Sequence, residues 1–237
     1  MNLCYIQSDI TDLGVDAVVL PANQNLKKGS GASEAIFHAA GETALVDACY
    51  KIGHCDLGSA VVTPAFRLNA TYIIHACVPK WEGGNQGEYD FLCAAYLSAL
   101  TLADQLQAKS IAFPLLSSGN NQFNKKLALE IAINTISKFE AEHLQQAVLV
   151  VYDEASLENA QAVGCPVIRI VHHSMAIRPA QKKKVSDNMM KVMDDAVHWV
   201  QNPEVRKKLL GAALAFCTPL LEKYEIPVDK LEDLINK

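Results

Sequence analysis

Short apolar stretches alternate with stretches of helical spacing along the first three-quarters of the chain. The apolar stretches are rich in β-branched residues, as buried strands are. They predict strands over 17–23, 59–65, 71–78, 110–116, 147–153 and 166–173. The segments between them predict helices over 33–52, 88–108, 124–142 and 155–163. Uniformly apolar strands separated by helices indicate one central sheet covered by helices on both faces, an α/β domain with α/β/α layers.

The character of the chain changes near residue 180. A polar, basic stretch (RPAQKKKVSDN) predicts a linker and the start of a helix. Apolar residues then recur at helical spacing at Val185, Met189, Val192, Met193, Ala196 and Val200. We therefore divide the chain into a domain over 1–175 and a helical C-terminal extension over 181–237.

Prolines mark the helices of the extension. Asn202 followed by Pro203 is a helix start, a cap residue with proline in the first turn. Pro219 is expected to kink or interrupt the helix that begins there. Pro227 and the following Asp-x-x-Glu pattern predict a short final helix. The extension either docks a partner, dimerises, or covers an apolar face of the chain's own domain.

Composition excludes several classes of protein. Half of the 237 residues are apolar and the formal net charge is −5, which rules out a mainly disordered chain. No run of about 18 uncharged apolar residues is present, so we expect no membrane span. The first residues lack the basic start and apolar core of a signal peptide, so we expect a cytoplasmic protein. The acidic balance argues against broad nucleic-acid binding through a basic face.

The seven cysteines do not show the spacing of a disulfide framework. Their number is odd and none are paired as CxxC, so we expect reduced, mostly buried thiols. His38, His75 and Cys77 are interpreted as structural, because no third ligand follows at a spacing that suits zinc. We expect no metal and no cofactor.

Two segments place small, flexible residues directly after a predicted strand: PANQNLKKGSGASEAIFHAAG (21–41) and PLLSSGNNQFN (114–124). In an open α/β sheet, ligands bind at the carboxyl ends of strands, where helix N-termini favour an anion. Gly29 and Gly31 allow the backbone to approach a phosphate closely. One GSG tripeptide is often an ordinary turn, but two such loops favour a site for a diphosphate.

The same segments resemble a known family. Asp9-Ile10-Thr11 followed by residues 15–41 resembles the opening of macro domains, the ADP-ribose-binding fold. Residues 53–68, 72–81 and 110–124 continue the match in order, so that the resemblance covers about 1–173. It implies a three-layer sandwich with a mixed central sheet, and ADP-ribose or an ADP-ribosylated protein as the partner. The extension lies outside it.

The resemblance also implies roles for single residues. Asp9 corresponds to the carboxylate that accepts from the adenine amino group, and Ile10 to the neighbouring backbone contact. Asn23 corresponds to the asparagine beside the distal ribose, and Phe123 to an aromatic residue that packs on it. Taken alone, Asp9 would be a turn cap and Phe123 a core residue. The other implied ligand contacts are Ala22, Gly29, Ser30, Gly31, Ala32, Ser117, Ser118, Gly119, Asn120 and Asn121.

The catalytic position departs from the family pattern. Ser33 stands where hydrolytic members of one branch carry an aspartate that orients or activates water. A serine positions water but does not take its proton near neutral pH. Glu34 is adjacent, yet neighbouring side chains on a helix diverge by about 100°. Asn23, Ser33 and Glu34 are thus the candidate catalytic residues.

The amino-acid sequence is compatible with three functions. The first is a reader that binds ADP-ribose or ADP-ribosylated protein without turnover. The second is an ADP-ribosyl hydrolase, acting on ADP-ribosylated protein or on an ADP-ribose ester, that uses Asn23 and a water held by the phosphates of the substrate. The third is an interaction module whose pocket has drifted. Lys27 and Lys28 either attract the diphosphate or are simply solvated.

Overall fold

The computed structural model describes residues 1–169 and 187–224. Its strands are β1 (Asn2–Gln7), β2 (Ala17–Ala22), β3 (Ala60–Pro64), β4 (Tyr72–Cys77), β5 (Ser110–Pro114), β6 (Gln146–Val151) and β7 (Val167–Arg169). They form one sheet in the order β3-β4-β2-β5-β6-β1-β7. Only the β3–β4 pair is antiparallel among these strands, with Ala60 opposite Ala76. The sheet is therefore mixed, as expected.

Helices cover both faces of this sheet. They are α1 (Ala32–Ala40), α2 (Glu42–Ile52), α3 (Glu88–Gln105), α4 (Lys125–Lys138), α5 (Glu154–Ala162), α6 (Asp187–Gln201) and α7 (Pro203–Lys223). A single turn of 3-10 helix follows β1 at Ile10–Asp12. Along β2, Val18 and Leu20 face the core under α1 and α2, whereas Ala17 and Val19 face the core under α3 and α4. The strand is apolar on both sides because both sides are covered.

Two elements differ from the prediction. The helix expected over 33–52 is two helices, α1 and α2, that meet at Gly41. Gly41 has φ 95°, a backbone conformation that glycine adopts readily and other residues avoid. Strand β1, which lies between β6 and β7, was not predicted. Its residues are mostly half-buried, so its sequence lacks a strong apolar pattern.

The extension packs on the domain. Helix α6 contacts the edge strand β3 and helix α3, and buries Met193 and Ala196. Helix α7 crosses α3 and α4, and adds Ala213, Cys217 and Leu221 to the same core. Residues on all sides of α3 are buried, because the sheet covers one side and α7 another. The described part of the extension thus covers an apolar face of the chain's own domain.

Helix α7 begins as predicted and runs through Pro219. The side chain of Asn202 accepts hydrogen bonds at the N-terminus and Pro203 occupies the first turn. Of the two effects expected of Pro219, a kink or an interruption, the interruption is wrong, because the helix continues to Lys223. Burial of Cys217 and Leu221 on either side of the proline stabilises the continuous helix and offsets the missing backbone hydrogen bond. None of the described helices is long and apolar enough to cross a membrane.

Several predictions fall outside the described residues. These are the boundary between 175 and 181, the linker that follows it, the end of the last strand over 170–173, and the short helix that begins at Pro227.

Candidate functional site

The candidate site is the crevice between the loops that follow two neighbouring strands, β2 and β5. From β2 the chain continues to β3 and β4 on one side of the sheet, whereas from β5 it continues to β6 on the other side. The strand order therefore reverses between β2 and β5, and ligands bind open α/β sheets at such a point, outside the carboxyl ends of the strands. We call residues 23–31, which follow β2, the first loop and residues 115–124, which follow β5, the second loop.

Asn23 shapes the first loop with its own side chain. Its Nδ2 donates to the carbonyl of Lys27 at 2.7 Å, and its Oδ1 accepts from the Lys27 N–H at 3.1 Å. Between them Leu26 has φ 54° and buries its side chain. Asn23, the predicted catalytic residue, is exposed at the start of the loop. Both the nitrogen and the oxygen of its side-chain amide are hydrogen-bonded within the loop.

The end of the first loop leads into the N-terminus of α1. Gly31 is the cap residue, with φ 61° and no side-chain cap, so the first N–H groups of α1 are open to an anion. Ser33 is buried, and its Oγ accepts from the N–H of Gly29 at 3.1 Å. Glu34 is exposed. Lys28 is paired with Glu42 at 2.7 Å, so its charge already has a partner.

Side chains of the second loop are directed toward backbone carbonyls. Ser117 donates to the carbonyl of Pro79 at 2.8 Å, and the Asn121 amide donates to the same oxygen at 3.1 Å. Ser118 donates to the carbonyl of Leu115 at 2.8 Å. These bonds hold the curvature of the loop, in which Ser117 has φ 61°.

The two loops touch across the crevice. The side-chain amide of Asn120 donates to the hydroxyl of Ser30, and both residues are exposed. Predicted ligand contacts from the first and second loops are thus brought together.

The predicted adenine contact lies beside the 3-10 turn. The carboxylate of Asp9 accepts from the Thr11 N–H at 2.9 Å and from its hydroxyl at 2.7 Å, so that it caps the turn. Ile10 is buried beneath it. Asp9 thus has the capping role that it would have on sequence grounds alone, and its carboxylate remains partly exposed.

Phe123 lies in an aromatic cluster. It is 2% exposed, and its ring packs edge-to-face against Trp81 at 5.1 Å and Tyr89 at 5.6 Å between centroids. Although Phe123 belongs to the second loop, its ring therefore lies in the core.

Three residues of this region were not singled out from the sequence: Trp81, Glu88 and Tyr96. Tyr96 is fully buried under the second loop, and its Oη accepts from the Leu116 N–H at 3.1 Å. Gly83-Gly84 shortly before Glu88 is the available signal, since paired glycines mark a loop of special backbone shape.

Of the three residues interpreted as structural, His75 and Cys77 are buried, whereas His38 is exposed. His75 Nε2 is 2.9 Å from Thr63 Oγ1, and Nδ1 is 3.9 Å from Cys49 Sγ. Burial lowers the pKa of His75 to about 3. The neighbouring thiol of Cys77 and burial raise the pKa of Cys55. Over residues 1–169 and 187–224, no three His, Cys, Asp or Glu side chains are grouped as metal ligands.

Comparison with known proteins identifies the family. The family model for the macro domain matches residues 19–132. O-acetyl-ADP-ribose deacetylase of Salmonella gallinarum is 44% identical over 159 residues, which cover 65% of this chain and 88% of that protein. The chain belongs to the macro domain family. A protein of the same description from Escherichia coli is 42% identical over 161 residues, with 65% and 89% covered.

Solved macro domain structures share the fold. The Oceanobacillus iheyensis macrodomain with ADP superposes with a TM-score of 0.62 at 31% identity, over 66% of this chain and 87% of that one. The Trypanosoma brucei macrodomain in complex with ADP-ribose gives a TM-score of 0.62 at 28% identity, over 68% and 69%. The three-layer architecture expected from the resemblance is confirmed for this macro domain.

Proposed function

We propose that this macro domain binds ADP-ribose, free or attached to protein, in the crevice between the first and second loops. One observation carries the proposal: two loops follow the neighbouring strands β2 and β5 at the point where strand order reverses, and Asn120 joins them through Ser30. The open N-terminus of α1 supplies N–H groups for the diphosphate. Relatives whose descriptions name ADP-ribose support the choice of ligand.

Binding without turnover is the function that the side chains support best. The Ser33 hydroxyl accepts the N–H of Gly29 and therefore stabilises the first loop. A hydroxyl at this position does not act as a base near neutral pH. Glu34 is exposed on the neighbouring position of α1, about 100° around the helix.

Hydrolysis of an ADP-ribose ester is the second candidate, because the relatives at 44% and 42% identity are described as O-acetyl-ADP-ribose deacetylases. In this reaction the oxygen of a water forms a bond to the acyl carbon and the bond to the ribose oxygen breaks. One proton of the water passes through a phosphate of the substrate to the ribose oxygen, so that ADP-ribose leaves with its hydroxyl, and the other proton is released to the solution with acetate. Asn23, beside the distal ribose, orients the reacting groups.

Calorimetry with ADP-ribose and an acetate-release assay with O-acetyl-ADP-ribose separate the two candidates. We expect binding by the full chain with no release above the uncatalysed rate. Release that is lost in Asn23→Ala and kept in Asn25→Ala, an exposed residue of the same loop, would establish the hydrolase instead. If the missing carboxylate alone prevents turnover, Ser33→Asp should release acetate from O-acetyl-ADP-ribose. Absence of ADP-ribose binding overturns both candidates.

A further inference from the structure

Glu88 organises the loop that connects β4 to α3. It lies in the first turn of α3 and is 2% exposed. One carboxylate oxygen accepts from the N–H groups of Glu82 at 3.0 Å and Gly84 at 2.9 Å, and the other accepts from Gln86 at 2.6 Å. Burial by itself raises the pKa of Glu88, but these backbone hydrogen bonds outweigh it and the pKa is lowered. The side chain is thus an ionised carboxylate that accepts three backbone donors of one loop.

This loop lies directly on an aromatic ring. A Cβ at Gly84 would stand 2.7 Å from the Trp81 ring and 2.8 Å from Tyr89 Oη, closer than real Cβ contacts come. Gly84 also has φ 81°. Only glycine therefore allows the backbone that Glu88 holds to pack against Trp81.

Trp81 in turn contacts the second loop. Its backbone N–H donates to the carbonyl of Asn121 at 2.8 Å, and its ring packs on Phe123. Two residues earlier, the carbonyl of Pro79 accepts from Ser117 and from the Asn121 amide. The loop after β4 is therefore bonded to the loop after β5, although β2 separates the two strands in the sheet.

We infer that Glu88 is a positioning residue for the second loop: its carboxylate fixes residues 82–86, these pack on Trp81, and Trp81 holds Asn121 and Phe123. The inference rests on the proposed function, in which the second loop contacts the diphosphate of ADP-ribose. Glu88 itself does not reach the ligand in this scheme. Removing it leaves three backbone N–H groups without the charged acceptor that orders them, and the second loop loses its outer support.

Full-length Glu88→Ala, Glu88→Gln and Glu82→Ala test the inference. Glu82 is an exposed carboxylate of the same loop, and only its backbone N–H bonds to Glu88. The affinity for ADP-ribose is measured by calorimetry, and amide hydrogen exchange is followed over 114–124 and over 22–34. We expect Glu88→Ala to raise the Kd about tenfold and to accelerate exchange over 114–124 but not over 22–34. The Kd and the exchange rates of Glu88→Gln should lie between those of the wild type and those of Glu88→Ala, because glutamine keeps one acceptor oxygen. Glu82→Ala should match the wild type in both measurements.

The outcomes distinguish this inference from the proposed function. A wild-type chain that does not bind ADP-ribose refutes the proposed function and the inference with it. If the wild type binds and Glu88→Ala binds equally well, only the inference is refuted. Equal acceleration of exchange over 22–34 would also overturn it, because it would indicate general destabilisation. Should Glu88→Ala fail to fold, Glu88→Gln decides by the same criteria.

Discussion

Asn120 donates a hydrogen bond to the hydroxyl of Ser30, a residue 90 positions earlier in the chain. The bond joins the loops that follow β2 and β5, across the crevice where a ligand of this sheet is expected. Both side chains are exposed, so the bond can open without disturbing the core. A ligand whose diphosphate lies between the loops would therefore be covered by this contact once it has bound.

Loss of this contact should speed the release of ADP-ribose. We expect Ser30→Ala and Asn120→Ala each to raise the dissociation rate about two- to tenfold, the worth of one hydrogen bond. The double variant should show a coupling of about 0.5–1.5 kcal/mol, because each single change already breaks the same bond. Stopped-flow with a fluorescent ADP-ribose analogue measures the rates, with Asn25→Ala as the control. Strictly additive effects would show that the contact has no part in retention.

Asp9→Asn separates the capping role of Asp9 from its predicted contact with adenine. Asparagine still accepts from the Thr11 N–H, so the turn should keep its cap and the melting temperature should change little. The affinity for ADP-ribose should fall about 10- to 100-fold, since a charged acceptor is lost. Calorimetry and thermal melts check both quantities. A large drop in melting temperature with unchanged affinity would contradict the assignment.

Tyr96→Phe tests the support under the second loop. The variant removes the acceptor of the Leu116 N–H in a fully buried site, which should cost about 1–3 kcal/mol of unfolding free energy. Urea unfolding measures the change. Tyr50→Phe is the matched control, because Tyr50 is 86% exposed, and it should stay within about 0.5 kcal/mol of the wild type. Equal effects of the two variants would refute the buried bond.

Leu221→Ala tests whether the extension and the domain unfold as one unit. Leu221 is 1% exposed in the core shared by α3 and α7, so its truncation should cost about 2–5 kcal/mol. We expect one urea transition that shifts as a whole, as two-state unfolding requires. Val192→Ala, on the exposed face of α6, should leave the transition nearly unchanged. A separate early transition would show that the extension unfolds independently.

Asp90 should make the stability depend on pH. It is 4% exposed, and within the described part of the chain its Oδ1 has no hydrogen-bond partner. Burial raises its pKa from the ordinary 3.8 to about 7. Between these values the folded chain holds a proton that the unfolded chain releases, so this contribution to stability falls as the pH rises and is constant above about pH 7.

Asp90→Asn carries no charge at any pH and should remove this dependence. The unfolding free energy of the variant relative to the wild type should increase by ~4 kcal/mol between about pH 4 and about pH 8. Urea titrations of both proteins at each pH give the difference, in which the opposite contribution of His75, with its pKa lowered to about 3, cancels. A difference that does not vary with pH would contradict the buried, unpaired state of Asp90.

Local patterns determined much of this protein. The strands β2 through β6 consist mostly of apolar residues, and the turn residues after β2 and β5 indicated both loops of the candidate site. Asn202 and Pro203 marked the start of α7 because capping depends only on neighbouring residues. For the same reason the capping role of Asp9 was recognisable before the fold was known.

The partners that these residues contact depend on the folded chain. That Ser117 donates to the carbonyl of Pro79, and that Phe123 packs on Trp81, depends on how whole segments approach one another. Helix α7 continues through Pro219 because burial against α3 and α4 offsets a local penalty. Most elements and the two loops of the candidate site were therefore predictable from the amino-acid sequence, since these depend on short-range periodicity and backbone preference. The hydrogen bonds of Glu88 are local, but the contacts of Trp81 with Asn121 and Phe123 join segments that only folding brings together.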